Sequence, residues 1–323
     1  MRKNGLFLLT FSLVFLLVLG GFNGLADAKF PEKTVTFVSW ASEGGGSDRF
    51  NNALKHAIDE NDLSSEPIVT ICKPGGGGAM GMSYTMSQPA DGYNVLKVST
   101  NLVLTPLTKN VPYSHENFIP IARMAIEPEV LYVQGDSDWD TIDDFLDYAR
   151  NNKVKAGMYG TGTQNHVSLL ALADQLDKDF NYVPYDGGGK AIAALLGGHV
   201  DVVVSEPSEV AGQVEAGKLK PLLVFSKERV SIYPEVPAFA PKFNTDIEVM
   251  QFRGYVVKEG TPDEVVTYLR DLFAEAYNTE EMQDYMNSNS MEPALLKGEE
   301  FFTFVEDQVT LYEGFLTKVG LIE

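Results

Sequence analysis

The stretch that decides the predicted fold is Thr34-Val35-Thr36-Phe37-Val38-Ser39-Trp40-Ala41-Ser42-Glu43-Gly44-Gly45-Gly46-Ser47-Asp48. Its first five residues alternate β-branched or aromatic side chains with small polar ones, which predicts a strand. Three glycines then break the pattern, and Ser47 and Asp48 offer N-cap chemistry to a following helix. A strand that feeds a helix through glycines presents backbone N–H groups at the positive end of a helix dipole, which suits an anion. An ordinary tight βα turn is the alternative for this loop taken alone. The apolar face of the helix comprises Phe50, Leu54, Ala57 and Ile58.

Residues 1–28 carry the pattern of an export signal. Arg2 and Lys3 precede an apolar run from Leu6 to Leu19, and Ala26-Asp27-Ala28 offers a small-x-small cleavage site. The run is long for a signal peptide, so an uncleaved anchor is the alternative. No cysteine lies near the cleavage region, which argues against a lipoprotein. We therefore expect cleavage near Ala28 and an exported protein that begins near Lys29.

Composition limits the classes of function. The 323 residues suffice for two domains or one large one. The single cysteine, Cys72, excludes an intramolecular disulfide, so we expect an apolar core to hold the fold and Cys72 to behave as a small hydrophobe at a strand end. A formal net charge of −20 repels nucleic acid and anionic membranes. Because it also opposes attraction of an anionic ligand from a distance, any anion affinity must come from local dipoles and hydrogen bonds.

Strands and helical patterns alternate along the rest of the chain. A second series of βα units begins after Glu127-Pro128-Glu129, and helices are predicted to dominate from Thr261 to the end. This alternation predicts an α/β protein with mostly parallel sheets. No fixed period relates the two series, so we expect two similar lobes rather than a repeat. The further predicted strands are 67–71, 93–99, 130–133, 154–158, 180–183, 200–204, 222–225 and 251–257.

Loops rich in glycine and hydroxyl residues follow strands in both series. Open α/β sheets bind ligands at such loops, so a cleft between two lobes would suit a small, oxygen-rich ligand. Trp40, Tyr159 and Tyr185 lie in these loops and could line a pocket. Arg253, at the end of the returning strand, could clamp a carboxylate or could pair with one of the many acidic residues. The loops are Ser39 to Asp48, Tyr159 to His166, Tyr185 to Gly189 and Ser205 to Ser208.

Motifs of common enzymes are missing or incomplete. The segment 187–191 resembles a phosphate loop but has no hydroxyl residue after Lys190, and no G-x-S-x-G sequence occurs. None of the four histidines lies four residues from another, as a helical metal site needs. His166 and Asp48 could be placed in a catalytic scheme, but capping or ligand contact at a helix start is the simpler role for each. We therefore predict no catalysis, no metal and no cofactor.

Eight motifs, taken together and in order, resemble the receptors of tripartite tricarboxylate transporters, the TctC or Bug family. They extend over essentially the whole exported chain. They are Gly44-Gly45-Gly46-Ser47-Asp48, Lys73-Pro74-Gly75-Gly76-Gly77-Gly78-Ala79-Met80-Gly81, Pro89-Ala90-Asp91-Gly92-Tyr93, Gly160-Thr161-Gly162-Thr163-Gln164-Asn165-His166, Val183-Pro184-Tyr185-Asp186-Gly187-Gly188-Gly189, Gly197-Gly198-His199-Val200-Asp201, Ala216-Gly217-Lys218-Leu219-Lys220 and Val236-Pro237-Ala238.

The resemblance implies an α/β, two-lobed periplasmic-binding-protein fold of type II-like topology, in which each lobe is a mixed, mostly parallel sheet flanked by helices. Lobe 1 would comprise 29–128 and 249–323, and lobe 2 would comprise 129–248, with a ligand cleft between them and hinges near Glu127 and Glu248. It also implies a monomeric periplasmic receptor that passes a small carboxylate to membrane subunits of the TctA/TctB type. A receptor that feeds a signalling partner is the alternative, and an exported hydrolase is a further one.

The resemblance further implies which residues bind the ligand. Three departures from the family pattern matter, because Glu43, Asp186 and Glu206 add acids near the cleft and would repel a fully ionised citrate. The ligand could therefore be an amino acid, an aromatic acid, a mono-, di- or tricarboxylate, or a carboxylate carried with a cation. The predicted ligand-binding residues are Trp40, Ala41, Ser42, Gly44, Gly45, Asp48, Thr161, Thr163, His166, Tyr185, Gly187, Ser205, Glu206 and Arg253.

Overall fold

The computed structural model describes residues 30–185 and 187–323. The predicted signal segment, residues 1–28, and Asp186 therefore lie outside the described residues. The elements of the first part of the chain are β1 (Val35–Ser39), α1 (Gly46–Glu60), β2 (Ile68–Cys72), α2 (Ala79–Ser87), β3 (Asn94–Val98), α3 (Asn101–Thr108) and β4 (Phe118–Pro128).

The middle of the chain forms a second set of elements. Residues 130–243 contain β5 (Val130–Gln134), α4 (Ile142–Asn151), β6 (Lys155–Met158), α5 (Gln164–Leu176), β7 (Asn181–Pro184), α6 (Gly188–Leu196), β8 (Val202–Ser205), α7 (Pro207–Glu215), β9 (Leu219–Val224) and α8 (Phe239–Phe243). The last part of the chain contains β10 (Met250–Lys258), α9 (Asp263–Tyr277), α10 (Glu280–Ser288), β11 (Glu292–Lys297) and α11 (Gly298–Lys318).

These strands form two mixed sheets, so the α/β class is confirmed. The six-stranded sheet has the order β11-β4-β10-β3-β1-β2, and the five-stranded sheet has the order β7-β6-β8-β5-β9. Parallel pairing joins β1 to β2 and β3, and β6 to β7 and β8. Antiparallel pairing occurs where β10 and β5 enter the middle of a sheet, because each arrives from the other sheet rather than through a helix of its own sheet.

The chain crosses between the sheets at two adjacent points. Glu129 separates β4 from β5, and Val249 immediately precedes β10. The Glu129 N–H donates to the Val249 carbonyl oxygen at 3.4 Å, so the two crossing segments run side by side. The predicted lobe limits and hinges stay predictions, although all strands of each sheet fall within one predicted lobe.

The first sheet is buried on both faces by aromatic and aliphatic side chains. On one face, Phe37 packs against Tyr255 and Phe273, with ring centroids 5.7 and 5.5 Å apart. On the other face, Phe252 packs against Phe301 of α11 with ring centroids 5.7 Å apart. Burial of this kind is the main favourable contribution to folding. Among the described residues, no helix is both long enough and apolar enough to span a membrane.

The structure corrects two details of the sequence analysis. Helix α1 begins at Gly46 with Gly45 as its N-cap, so Ser47 and Asp48 lie in its first turn rather than at the cap. Helices dominate the C-terminal part as predicted, but the strand β11, which was not predicted, pairs there with β4 as an edge strand. The long strand β4 was also not predicted, since buried residues on both of its faces hide the alternation that marks a half-buried strand.

Helix α4 supplies a test of local stability. The Thr141 hydroxyl accepts from the Asp144 N–H at 3.3 Å, and the Asp144 carboxylate accepts from the Thr141 N–H at 2.8 Å, which is a capping box. We expect Thr141→Ala to lower the free energy of unfolding by about 1 kcal/mol, because one helix N–H loses its acceptor. Chemical denaturation should measure the loss, with Thr310→Ala on α11 as the control. An unchanged midpoint would contradict the role of the cap.

Candidate functional site

A cavity of about 510 Å³ lies between the two sheets, and both sheets contribute loops and side chains to its wall. The loops are those that follow β1, β2, β3, β6, β7 and β8 at their carboxyl ends, as expected for open α/β sheets. The wall consists of Trp40, Ala41, Ser42, Gly45, Gly46, Ser47, Pro74, Gly75, Gly76, Gly77, Gly78, Ser99, Asn101, Leu104, Thr105, Thr108, Lys109, Glu129, Tyr159, Gly162, Thr163, Gln164, Asn165, Gly187, Gly188, Glu206, Glu209, Gln251 and Arg253.

Six helices begin at this cavity. The first residue of α1, α3, α5 and α6 lines it, and so do Gly78 and Glu206, the N-cap residues of α2 and α7. The first N–H groups of an α-helix have no partner within the helix and carry a partial positive charge. Helices from both sheets therefore direct N–H donors and positive potential at one small volume, which favours an anionic ligand group there.

The loop between β1 and α1 is held by Asp48. Its carboxylate accepts the Gly44 N–H at 2.8 Å and contacts the Cys72 Sγ at 3.3 Å. Burial, and then the Asp48 carboxylate, raise the pKa of the Cys72 thiol to about 11, so this thiol stays protonated at neutral pH. Asp48 thus supports the loop from behind and does not line the cavity.

The loop between β2 and α2 is built from Gly75 to Gly78, all four of which have positive φ angles. Helix α3 fastens this loop, because the Thr105 hydroxyl donates to the Gly77 carbonyl oxygen at 2.6 Å and the Lys109 ammonium donates to the Gly76 carbonyl oxygen at 2.8 Å. Only glycine fits at Gly78, where a Cβ would overlap the Asn101 side chain. The loop can therefore approach a ligand closely with backbone alone.

The loop between β6 and α5 is fastened in a similar way from the second sheet. The Thr163 hydroxyl donates to the Gly160 carbonyl oxygen at 2.7 Å, and the buried His166 Nδ1 accepts from the Gly162 N–H at 3.1 Å. Burial lowers the pKa of His166 to about 4, so the imidazole is neutral at neutral pH and can act as this acceptor. His166 thus orders the loop but does not line the cavity.

Six buried polar atoms on residues of the cavity wall have no hydrogen-bond partner within the described part of the chain. Such atoms are costly, and natural proteins keep few of them without a reason. Five of them can only donate or can both donate and accept, so they match the carboxylate oxygens of a ligand once the ligand or a closing motion brings them into contact. The atoms are Trp40 Nε1, Ser47 Oγ, Asn101 Nδ2, Glu129 Oε2, the Tyr159 hydroxyl and Asn165 Nδ2.

A buried ion pair lies beside the cavity. The Arg253 guanidinium on β10 contacts the Glu127 carboxylate on β4 through Nε at 2.7 Å and also through Nη2. Burial lowers the pKa of Arg253, but Glu127 and Glu206 outweigh that effect and raise it overall. The Ser208 hydroxyl, at the start of α7, donates to the same Glu127 carboxylate at 2.6 Å. The pair therefore neutralises a buried charge within the first sheet, and the Ser208 hydrogen bond links it to α7 beside the second sheet.

Three further carboxylates line the cavity. Glu129 is 1% exposed and accepts from the Gln164 side chain at 2.6 Å, and Glu206 accepts from the Gln251 side chain. Burial and the neighbouring glutamates raise the pKa of Glu129 well above its ordinary value and that of Glu206 to about 8. Removal from water within the cleft also raises the pKa of Glu209, whose Oε2 contacts the Ser205 hydroxyl at 3.3 Å. No group of three metal-ligating side chains suited to hold an ion is found within residues 30–185 and 187–323.

The structure brings together eight of the fourteen predicted ligand-binding residues at the cavity wall: Trp40, Ala41, Ser42, Gly45, Thr163, Gly187, Glu206 and Arg253. It places the other six outside that wall. Gly44, Asp48, Thr161, His166, Tyr185 and Ser205 lie in the same loops, with Thr161 exposed and Ser205 fully buried.

Several wall residues were not among the predicted ones. Asn101 follows β3 and has no glycine beside it, so it carries no motif signal. Glu129 lies between β4 and β5, and Gln251 lies near the start of β10, just after the second crossing point. Both reach the cavity because the cavity lies between the two sheets. The glycines that follow β2, Gly75 to Gly78, were recognised as a motif but were not predicted to bind the ligand. Their position at the carboxyl end of a strand would have been a sufficient signal to predict it.

Comparisons with known proteins extend over almost the whole chain. Residues 57–321 match the family described as tripartite tricarboxylate transporter family receptor, TctC. A protein of Cupriavidus necator from the gbd 5′ region is 28% identical over 298 residues, which cover 91% of this chain and 89% of that protein. A TctC solute binding protein from Polaromonas is 30% identical with a TM-score of 0.75, covering 90% of this chain and 99% of that one. An R. palustris structure with adipate has a TM-score of 0.81 at 22% identity, covering 90% and 98%, and shows likeness of fold.

Proposed function

The chain belongs to the tripartite tricarboxylate transporter receptor family, TctC, and from this premise we propose that it binds a small carboxylate in the cavity between its two sheets. We infer further that it is a monomeric periplasmic receptor, that it is not an enzyme, and that it delivers its ligand to membrane subunits of the TctA/TctB type. The two-lobed fold predicted from the sequence is confirmed by the likeness to the Polaromonas protein.

The observation that carries this proposal is the convergence of helix N-termini and unpartnered donors on one volume. Trp40 Nε1, Asn101 Nδ2 and Asn165 Nδ2 are buried donors without partners on residues of the wall. A carboxylate has two oxygens that together accept about four hydrogen bonds, which matches such a set. The adipate bound to the R. palustris protein is a carboxylate ligand on the same fold.

We assign ligand contact to the wall residues Ala41, Ser42, Gly45, Thr163 and Gly187. The predicted contact residues outside the wall are assigned a supporting role, since Asp48 and His166 accept N–H groups of the loops that carry these contacts. Closure of the lobes about the crossing segments at Glu129 and Val249 would then enclose the ligand.

A thermal-shift screen tests the proposal. We expect the protein from Lys29 onwards to gain about 2.7 kcal/mol from a ligand at a hundredfold excess over its Kd, which raises Tm by several degrees. The panel comprises mono-, di- and tricarboxylates, amino acids and aromatic acids, with the neutral amides of the same compounds as controls. A response to no carboxylate, with mass spectrometry showing no ligand retained after denaturation, would contradict the proposal.

A further inference from the structure

We propose that the ligand carries a cationic amine as well as a carboxylate, and that Glu129, Glu206 and Glu209 receive the amine. This inference rests on the proposed function and narrows its substrate class to aminocarboxylates.

The three carboxylates reach one wall of the cavity from different elements. Glu129 lies on the crossing segment between β4 and β5, Glu206 follows β8, and Glu209 lies in α7. Glu129 is the decisive member, because it is 1% exposed and its Oε2 is buried without a partner, while its Oε1 is occupied by Gln164. A buried carboxylate oxygen without a donor is unfavourable, and an ammonium supplies three N–H donors together with the opposite charge.

The three cations Arg253, Lys109 and Lys97 form no ion pair with these carboxylates. Arg253 is paired with Glu127, and the Lys109 ammonium donates to the Gly76 carbonyl oxygen in the second glycine loop. Lys97 is fully buried behind the wall, and burial together with the Arg253 charge lowers its pKa well below the ordinary value. The wall therefore holds three carboxylates without a cation of their own.

The rest of the cavity is suited to the other end of such a ligand. The N-terminus of α1 and the donors of Trp40 and Asn101 belong to the first sheet and its loops, whereas two of the three carboxylates belong to the second. A cavity of about 510 Å³ has room for a ligand with separated charges.

The chemistry of the wall allows one competing arrangement. Burial and mutual repulsion favour protonated carboxyls here, with the pKa of Glu206 raised to about 8, and a protonated carboxyl can donate to a ligand carboxylate. The two arrangements differ in the sign of the proton exchange on binding. An ammonium lowers the pKa values of the carboxyl groups, so the protein releases protons, whereas an anion raises these pKa values, so the protein takes protons up. The charged or titratable groups that interact electrostatically with this wall are Glu127, Arg253, Lys97, Arg49, Tyr132, Tyr159 and Tyr312.

The experiment compares acids with their amino derivatives. Calorimetry at pH 7, in two buffers of different ionisation enthalpy, measures affinity and proton exchange for succinate with aspartate, glutarate with glutamate, adipate with 2-aminoadipate, and hexanoate with 6-aminohexanoate. In at least one pair we expect the amino member to bind at least tenfold more tightly and to release protons.

Two variants test whether the carboxylates of this wall cause the preference for the amino member of a pair. Glu129→Gln should lose at least tenfold in affinity for the amino member and little for the plain acid, and Glu209→Gln repeats the test on a residue that is exposed to solvent. The control is Glu215→Gln, which changes an exposed acid at the end of the same helix as Glu209 and should keep the preference.

The outcomes separate this inference from the proposed function. Equal or tighter binding of the plain acid in every pair that binds, or proton uptake on binding, overturns the aminocarboxylate inference and leaves the carboxylate receptor standing. Binding of no member of any pair overturns the aminocarboxylate inference, and the thermal-shift screen with its wider panel then decides whether the carboxylate receptor stands. A preference for the amine that survives Glu129→Gln and Glu209→Gln together overturns the assignment to this wall.

Discussion

Replacing Arg253 with methionine is expected to lower the free energy of unfolding by about 3–5 kcal/mol, because it leaves the buried Glu127 carboxylate without its cation. Glu127 is 0% exposed and Arg253 is 4% exposed, so the carboxylate is left largely out of contact with bulk water. Methionine keeps most of the length and apolar volume of the side chain, so loss of packing contributes little. Chemical denaturation of the free protein measures the change through its midpoint and slope.

Two controls show whether charge is the cause. The double variant Glu127→Gln with Arg253→Met removes both charges, and we expect it to recover most of the lost stability, since no uncompensated charge then stays buried. Arg150→Met breaks the exposed pair with Asp147 and should change stability by no more than about 1 kcal/mol. An Arg253→Met loss as small as that of Arg150→Met, or no recovery in the double variant, would contradict the account.

The ion pair also has a consequence for ligand binding. Arg253 was a candidate carboxylate clamp or a partner of an acid, and the structure places it in the second role while its side chain still lines the cavity. A guanidinium already neutralised by Glu127 attracts an anionic ligand less than a free one would. The anion affinity of this cavity must therefore come mainly from N–H donors and helix dipoles, as the net charge of −20 led us to expect.

The sequence predicted those parts of the site whose signals are local. The strand, glycines and helix around Gly45 form one continuous pattern, so the β1–α1 junction was found with an error of only two residues in the cap. Glycines with positive φ mark the other loops in the same way. The loops could thus be found, although the inward or outward direction of a side chain such as His166 depends on packing that the sequence does not reveal.

The parts that were missed depend on tertiary contacts. The three carboxylates on one wall of the cavity are Glu129, Glu206 and Glu209. Glu129 precedes the other two by about 80 residues in the sequence, and they meet only because the chain crosses between the sheets twice. Strand β4 is buried on both faces and therefore lacks an alternating pattern. The Asn101 side chain lies at the cavity wall because Gly78 has no Cβ and so leaves room for the Asn101 amide.

Gly46→Val is expected to weaken carboxylate binding at least 100-fold, or about 2.8 kcal/mol, while the free protein keeps its fold. Gly46 is the first residue of α1 and lines the cavity, and a Cβ built there lies 3.7 Å from two Arg253 nitrogens, which is an ordinary contact. A branched side chain at this position would cover the N–H groups at the start of the helix. Gly45 is less suitable for this test, because its Cβ would lie 3.0 Å from the Ser42 carbonyl oxygen and would disturb the loop itself.

The matched control for this variant is Gly189→Val in the first turn of α6. A Cβ at Gly189 meets nothing within 4 Å, and Gly189 does not line the cavity, so the same side chain is added beside the site without entering it. Calorimetry with the carboxylate that gives the largest thermal shift measures both variants, and the Tm of each free protein shows whether the fold is kept. Because the α1 N-terminus is the anion-binding element of the first lobe in this account, undiminished binding by Gly46→Val would remove that helix from the site. The carboxylate would then have to be held by the α3 N-terminus and the second glycine loop, or by the helices of the second sheet beside the carboxylates that repel it.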